Sequence, residues 1–255
     1  MSIPKLIHYC WFGHSTKNSS IMKCINSWKD KCPDYEIVEW SEKNFDVFNN
    51  VFTKIAYENE DWASISDYLR LYVLKKFGGI YLDTDVEIIK SFDNLLENKS
   101  FIGLESFASI NSGLVYACEK NDLNVSNILS IYQNSNPNFL FDNEVYITTK
   151  YFKEQGYKYY KKGVQIINGC CIYPTEYFCP QMYGSDIIKL TNNSYSIHHY
   201  NASWVKKEMT NSQKRHILEG KILKFLLTPE LFNYIYRKYL KIIDWSIHVK
   251  DNKEK

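Results

Sequence analysis

The chain has no long apolar run. None of its hydrophobic stretches approaches the roughly 18 residues that a membrane-spanning helix needs. The N-terminal segment MSIPKLIHYC also lacks the pattern of a secretory signal, because one early lysine is followed by a short apolar stretch that His8 interrupts. We therefore predict no membrane-spanning segment and expect the chain to remain in the cytosol.

The chain also lacks a strong excess of charge and a paired-cysteine motif. Its 31 Lys and Arg residues nearly balance its 29 Asp and Glu residues, unlike the strongly basic face of a dedicated nucleic-acid-binding protein. The seven cysteines include no pair with the two-residue gap of a zinc or thioredoxin-type site, so we expect reduced, mostly buried thiols. Aromatic side chains are abundant instead, at 16% of 255 residues, and the apolar content of 45% can form a sizeable core.

The order of predicted elements indicates an α/β fold. Residues 5–12 and 35–40 have strand patterns and flank a helical pattern over residues 19–31, an order that favours a parallel sheet with crossover helices. Further strand patterns follow at residues 80–82, 86–89 and 164–173, with a strand, turn and strand over 101–118 and a late strand and loop over 195–204.

Two helical regions stand out. The stronger covers residues 61–77, where Asp61 can cap the N-terminus and Gly78-Gly79 can end the helix. The second is basic and aromatic, and it begins at the Thr228-Pro229-Glu230 helix start. We therefore divide the chain into a main α/β domain, residues 1–205, and a helical C-terminal extension, residues 206–255.

One acidic pair follows a predicted strand and points to chemistry. Asp83 and Asp85 lie on the same side of an extended chain at the carboxyl end of that strand, a common position for a divalent cation in an open α/β sheet. Carboxylate oxygens suit Mg²⁺ or Mn²⁺. The preceding helix carries Asp67 and Arg70 on one face. By itself the pair could be a solvated acidic turn, and Asp67–Arg70 a surface ion pair.

Several separated segments together resemble one enzyme family. SDYLRLYVLKKFGGIYLDTDV, which includes both aspartates, closely resembles the central motif of glycosyltransferases with a sugar-binding DxD motif. The resemblance extends to IPKLIHYCWFG near the N-terminus, PDYEIVEWSEKNFD, INSGLVYA at 110–117 and IHHYNASW at 197–204. The chain is similar to glycosyltransferase family 32, especially its bacterial capsular-polysaccharide members, and to the catalytic domains of clostridial glucosylating toxins.

The resemblance implies a fold, an activity and cofactors. The fold would be GT-A, a Rossmann-like α/β fold with a mostly parallel central sheet. The activity would be metal-dependent transfer, with retention of configuration, from a nucleotide-sugar donor (usually UDP-linked) to a saccharide acceptor in capsular or surface polysaccharide synthesis. The cofactors would be Mn²⁺ or Mg²⁺ and the UDP-sugar. Independently of the resemblance, the basic C-terminal helix could dock the enzyme at the inner face of the plasma membrane, where a lipid-linked acceptor would be found.

The resemblance also assigns roles to individual residues. Asp85 would ligate the metal directly, and Asp83 would contact the donor and reach the metal through water. Asp67 and Arg70 would hold sugar hydroxyls, with Arg70 also near the phosphate. The other expected donor-site residues are Trp11 on the uracil, Tyr81 at the diphosphate or sugar, Asn111 at the sugar, His199 at the metal or diphosphate, and Ser203 and Trp204 over the diphosphate.

Some of these assignments have ordinary structural alternatives. Trp11, Tyr81 and Trp204 could be core aromatics. Strand alternation directs His198 and His199 to opposite faces, so at most one is expected to face the site. The HHY-x-x-SW pattern favours His199.

Two other functions compete with sugar transfer. A haloacid-dehalogenase-like phosphatase also uses an Asp-x-Asp pair after a strand, but Glu87 stands where that family has Thr or Val. A non-enzymatic module that binds a membrane surface through the basic C-terminal helix is the third hypothesis. The chain departs from many relatives in FDNEVYITTKYF, which lacks their Gly-Pro turn, so roles are not carried over to residues 140–165. We expect the aromatic residues in 151–183 and 232–245 to mark the acceptor side.

Overall fold

The computed structural model describes residues 2–134, 144–159, 161–181 and 187–200, together with Leu231. The helical extension over residues 206–255, the domain boundary at 205 and the roles of Ser203 and Trp204 fall outside the described part of the chain, apart from Leu231.

The described residues form both helices and strands. The helices are α1 (Ser19–Lys31), α2 (Val51–Glu58), α3 (Trp62–Phe77), α4 (Leu123–Asn134), α5 (Glu144–Glu154) and α6 (Thr175–Phe178). The strands are β1 (Leu6–Cys10), β2 (Glu36–Trp40), β3 (Gly79–Tyr81), β4 (Val86–Ile88), β5 (Ser100–Ser106), β6 (Ser109–Cys118), β7 (Gln165–Ile167), β8 (Cys170–Tyr173) and β9 (Ser196–His198). In the described residues, none of the helices is both long and apolar enough to cross a bilayer.

A seven-stranded sheet forms the centre of the molecule, in the order β2-β1-β3-β6-β5-β8-β7. The parallel pairs β1–β2, β1–β3 and β5–β8, together with the antiparallel pairs that join them, orient five strands in one direction. Strands β6 and β7 run the opposite way. This confirms the predicted α/β class with a mostly parallel central sheet and agrees with the GT-A fold that the resemblance implies.

Apolar clusters cover both faces of this sheet. Ile7, Ile80 and Trp28 of α1 belong to one cluster, and Tyr81, Tyr116 and Leu71 of α3 belong to another. The buried positions therefore follow the period of two along β3, where adjacent residues enter different clusters. Sandwiching between helices explains why β3, β5 and β6 are buried along their whole length.

The helix that precedes the acidic pair begins and ends as the sequence predicts. The Asp61 carboxylate accepts a hydrogen bond from the Ser64 N–H at 3.1 Å and so caps α3. Gly78 and Gly79 both have positive φ values, of 69° and 96°. A Cβ at Gly79 would come within 2.5 Å of the Leu6 carbonyl oxygen, so glycine is needed where α3 turns into β3 beside β1.

A separate two-stranded sheet lies next to the acidic pair. Strands β4 and β9 pair in antiparallel fashion, with Val86 opposite His198. The Trp28 indole of α1 donates to the Val86 carbonyl oxygen at 2.7 Å. Residues more than 100 positions apart in sequence are therefore held next to each other at this edge.

Candidate active site

Asp83 lies just beyond the carboxyl end of β3, over the first half of β6. Its backbone N–H donates to the Gly113 carbonyl oxygen at 2.9 Å. A Cβ built on Gly113 would lie 2.0 Å from Asp83 Oδ2, so the carboxylate occupies space that only glycine leaves free. The Gly in the INSGL segment is thus explained by the position of the first aspartate of the pair.

Arg70 is buried and contacts both Asp83 and Asp67. Its side chain is 4% exposed, and its Nη2 atom lies 3.1 Å from Asp83 Oδ1 and 3.0 Å from Asp67 Oδ1. The side chains of Asp83 and Asp67 are 30% and 23% exposed, so both carboxylates keep accessible surface. The buried Arg70 guanidinium therefore holds two partly exposed carboxylates in place.

The remaining guanidinium atoms also have protein partners. Nε donates to the Ser66 carbonyl oxygen at 3.2 Å, and Nη1 donates to Ser112 Oγ at 3.2 Å. Nη1 also lies 3.5 Å from Glu144 Oε2. In this geometry Arg70 orients the two aspartates, and its expected contact with the donor phosphate stays a prediction.

The Tyr81 ring packs against the Arg70 guanidinium. The Arg70 Cζ atom lies 4.9 Å from the centre of the Tyr81 ring, a cation–π distance, and the tyrosine is 1% exposed. Its side chain belongs to a core cluster, so the burial of Tyr81 does not favour the predicted direct contact with the donor. That contact stays a prediction.

The charges of the network shift the pKa values of its members. Burial alone would lower the pKa of Arg70, but Asp83, Asp67 and Glu144 raise it well above its ordinary value, so the guanidinium stays charged. Burial also raises the pKa of Asp67, with Glu144 and Asp83 adding to the rise and Arg70 opposing it. Three acids thus share one buried cation.

The second aspartate of the pair faces His198. His198 Nε2 lies 3.0 Å from Asp85 Oδ1, and both residues are buried. His199 instead directs its Nε2 atom to Glu87 Oε2, at 2.8 Å, while its backbone N–H donates to the Asp85 carbonyl oxygen at 3.1 Å.

The structure therefore places His198 at the Asp pair, where the sequence pattern favoured His199. The alternation predicted for the two histidines is present, because the strand pairing sets His198 opposite Val86 and separates the two rings. Which histidine has this position depends on the register of β4 and β9, and no local pattern reports that register. The ligand role of either histidine stays a prediction.

Two further predicted donor residues lie at the same edge of the sheet. Trp11 directly follows β1, is half-buried, and donates its indole N–H to the Ser15 carbonyl oxygen at 2.7 Å. Asn111 is 7% exposed, and its Oδ1 atom accepts from the Gly113 N–H at 2.7 Å. Asn111 thus bonds to the residue of β6 that lies against Asp83, and the donor contacts of both Trp11 and Asn111 stay predictions.

Sequence reasoning missed Glu144 and Ser112 as members of the network. Glu144 Oε1 accepts from the Ser112 N–H at 3.0 Å and from the Thr148 hydroxyl at 2.9 Å. Ser112 is part of the recognised INSGL segment and could have been singled out there. Glu144 lies in the stretch where the chain departs from its relatives, and no local signal marked it.

Comparison with known proteins shows which family this part of the chain is similar to. Residues 18–102 match the model of the family described as "Glycosyltransferase sugar-binding region containing DXD motif". Asp67, Arg70, Asp83 and Asp85 all lie within the matched region.

Curated relatives match over part of their length. One is "Subversion of eukaryotic traffic protein A" of Legionella pneumophila, at 28% identity over 33% of this chain and 17% of the relative. Another is "Inositol phosphoceramide mannosyltransferase 3" of Schizosaccharomyces pombe, at 28% identity over 45% of this chain and 33% of the relative. The aligned region thus spans a third or less of the length of these relatives.

A solved structure titled "PaToxG Glycosyltransferase" matches 61% of this chain and 70% of its own chain, with 22% identity and a TM-score of 0.49.

The family match covers the helix α3, the strand β3 and the acidic pair whose geometry is described above. Residues 18–102, which contain the Asp83-Thr84-Asp85 motif, are therefore similar to the sugar-binding region of glycosyltransferases with a DXD motif.

Proposed function

We propose that this chain transfers a sugar, with retention of configuration, from a UDP-linked donor to a saccharide acceptor. The observation that carries the proposal is the ion network in which Arg70 holds Asp67 and Asp83 beside Asp85, within the matched DXD region. Such a network offers fixed carboxylate oxygens to ribose and sugar hydroxyls, which are hydrogen-bond donors. A phosphatase built on the same Asp pair has no comparable support in the family match.

The acidic pair fits a divalent cation with few protein ligands. Asp83 and Asp85 offer hard oxygen donors, and the space left by Gly113 is occupied by an Asp83 carboxylate oxygen. Among the described residues, no three His, Cys, Asp or Glu side chains form a ready-made metal cluster. Asp85, with Asp83 and His198 nearby, would therefore hold Mn²⁺ or Mg²⁺ together with oxygens of the donor. When bound, the cation neutralises charge on the diphosphate leaving group.

The chain's own residues contribute chiefly positioning and electrostatics. Asp67 and Asp83 are held by a guanidinium that is itself immobilised, so they can orient the donor sugar without reorganising. Trp11 would stack on the uracil from the end of β1. In retaining transfer on one face of the sugar, a phosphate oxygen of the departing UDP can accept the proton of the acceptor hydroxyl. No side chain then needs to be a strong base.

The acceptor and the place of action follow from the same proposal. We assign the acceptor to a saccharide of a capsular or surface polysaccharide, in a cytoplasmic enzyme that can reach a lipid-linked acceptor at the inner face of the plasma membrane. The support is the resemblance of the sequence motifs.

Binding measurements with nucleotide sugars test the proposal directly. The purified chain would be titrated with UDP-glucose, UDP-galactose, UDP-N-acetylglucosamine and GDP-mannose, each with Mn²⁺, by calorimetry and thermal shift. We expect one UDP-sugar to bind, to raise the unfolding temperature and to be hydrolysed slowly to UDP. An Asp85→Asn variant should lose the Mn²⁺-dependent part of this binding. If no nucleotide sugar binds, the proposed activity is wrong; hydrolysis of an aryl phosphate instead would indicate a phosphatase.

A further inference from the structure

Glu144 is a buried acid that none of the assigned roles uses. It is 4% exposed, lies in the first turn of α5 and directs both carboxylate oxygens at other parts of the site. Oε1 accepts from the Ser112 N–H at 3.0 Å, and Oε2 lies 3.5 Å from Arg70 Nη1. Because Arg70 Nη1 also donates to Ser112 Oγ, the three residues form a closed triangle that joins α3, β6 and α5.

The docking of α5 onto β6 has a second, separate anchor. Thr149 Oγ1 accepts from the Ile110 N–H at 2.9 Å and lies 3.3 Å from the Ile110 carbonyl oxygen, and Thr149 is fully buried. This anchor joins the same helix to the same strand through Ile110. Thr149 thus joins α5 to β6 without contacting Arg70, whereas Glu144 contacts both β6 and Arg70.

We propose that Glu144 is a positioning residue: it fixes the Arg70 guanidinium so that Asp67 and Asp83 face the donor sugar in one orientation. This inference rests on the proposed function for the identity of the ligand. Its structural part, the immobilisation of Arg70, does not depend on that ligand.

The physical reason is the arrangement of charge around the guanidinium. Nη2 is held by Asp67 and Asp83 on the accessible side, and Nη1 is held by Glu144 and Ser112 on the buried side. A planar guanidinium gripped at both ends cannot rotate about its Nε–Cζ bond without breaking charge-assisted hydrogen bonds. Without the negative charge on the buried side, the guanidinium would be drawn toward the two aspartates and would reorient them.

The Glu144→Gln variant separates charge from shape. The glutamine oxygen can still accept from the Ser112 N–H and the Thr148 hydroxyl, but its NH₂ group would then face Arg70, a donor opposite a donor. Thr149→Val is the matched control, because it removes a buried anchor of α5 that does not reach Arg70. Glu144→Asp keeps the negative charge, so it should retain part of the Arg70 immobilisation that Glu144→Gln loses.

The first measurement is independent of activity. Arg70 is one of only three arginines in the sequence, with Arg215 and Arg237, so arginine-selective ¹⁵N labelling gives a simple side-chain spectrum. We expect rotation and proton exchange of the Arg70 guanidinium to become faster by on the order of tenfold in Glu144→Gln and to stay unchanged in Thr149→Val. Unchanged Arg70 dynamics in Glu144→Gln would overturn the inference, whatever the enzyme binds.

The second measurement compares two ligands, UDP and UDP-glucose, each with Mn²⁺. A positioning role predicts that Glu144→Gln weakens binding of UDP-glucose by on the order of tenfold and leaves the affinity for UDP unchanged. Equal losses for both ligands, or equal losses in Thr149→Val, would show a merely structural role and overturn the inference. Should the unsubstituted chain bind no nucleotide sugar, the proposed function fails, and the Arg70 spectrum still decides whether Glu144 fixes the guanidinium.

Discussion

At the scale of single residues, Gly113 and Asp83 compete for one small space. A Cβ at Gly113 would lie 2.0 Å from one Asp83 carboxylate oxygen, and Arg70 holds the other oxygen of the same carboxylate. Gly113→Ala should therefore displace the carboxylate from Arg70 and lower kcat/KM for UDP-sugar hydrolysis by at least about tenfold, with a smaller relative effect on stability. Kinetics and thermal unfolding of the same preparation check this. A large loss of stability with unchanged kcat/KM would contradict it.

The two adjacent histidines give a second prediction at this scale. His198 contacts Asp85, whereas the side chain of His199 contacts Glu87. We expect His198→Asn to lower the Mn²⁺-dependent hydrolysis of a UDP-sugar by on the order of tenfold, and His199→Asn to change it much less. Manganese titrations of both variants check the order. The reverse order would support the sequence pattern that favoured His199.

At the scale of elements, α3 carries two of the site residues and depends on a side-chain cap. Asp61 accepts from the Ser64 N–H at the start of this helix. Asp61→Ala should lower the free energy of unfolding by about 1 kcal/mol, measured by urea denaturation. Asp30→Ala is the control, because Asp30 is exposed near the C-terminal end of α1, where an acid does not cap the helix. Equal losses in the two variants would show that the cap contributes nothing specific.

The elements also differ in how far the sequence predicts them. The pattern gives α1 its observed limits, and it places α3 to within one residue, because both helices have caps and apolar stripes. Helices α2 and α5 were not predicted. Helix α5 is rich in β-branched residues, which have low helix propensity, and it forms because Val145, Thr149 and Phe152 are buried when it docks.

At the scale of the whole molecule, His8 makes stability depend on pH. It joins three elements: its Nδ1 atom accepts from the Trp40 indole N–H at 3.1 Å, and its Nε2 atom contacts the Gly78 carbonyl oxygen at 2.9 Å. Both contacts are satisfied by one neutral tautomer. Burial lowers the pKa of His8 from 6.5 to about 4, although the hydrogen bond to the Gly78 carbonyl oxygen acts to raise it.

The sign of this dependence follows from proton linkage. Between pH 6.5 and 4 the unfolded chain binds a proton at His8 that the folded chain does not, so the free energy of unfolding falls as the pH is lowered through this range. The loss from His8 amounts to roughly 3 kcal/mol at most. Urea denaturation of the unsubstituted chain and of His8→Gln at several pH values isolates the contribution of His8 to this loss. Parallel pH profiles for the two proteins would contradict the assignment.

The sequence alone determined the α/β class, the main helix before the acidic pair, and the DXD pair itself. Each of these depends on local signals: hydrophobic period, capping residues, glycine at a helix end, and a contiguous motif. The sequence spacing also predicts that Asp67 and Arg70 share one helix face, because residues three apart on a helix are neighbours.

Only the tertiary structure decided which distant side chains complete the site. The register of β4 and β9 placed His198 rather than His199 against Asp85, and the docking of α5 on β6 brought Glu144 to Arg70. The burial of Tyr81 beneath the guanidinium likewise depends on how α3 packs on the sheet. Strand register and helix docking are set by the combined packing of many residues far apart in the chain, and a local pattern carries no record of them.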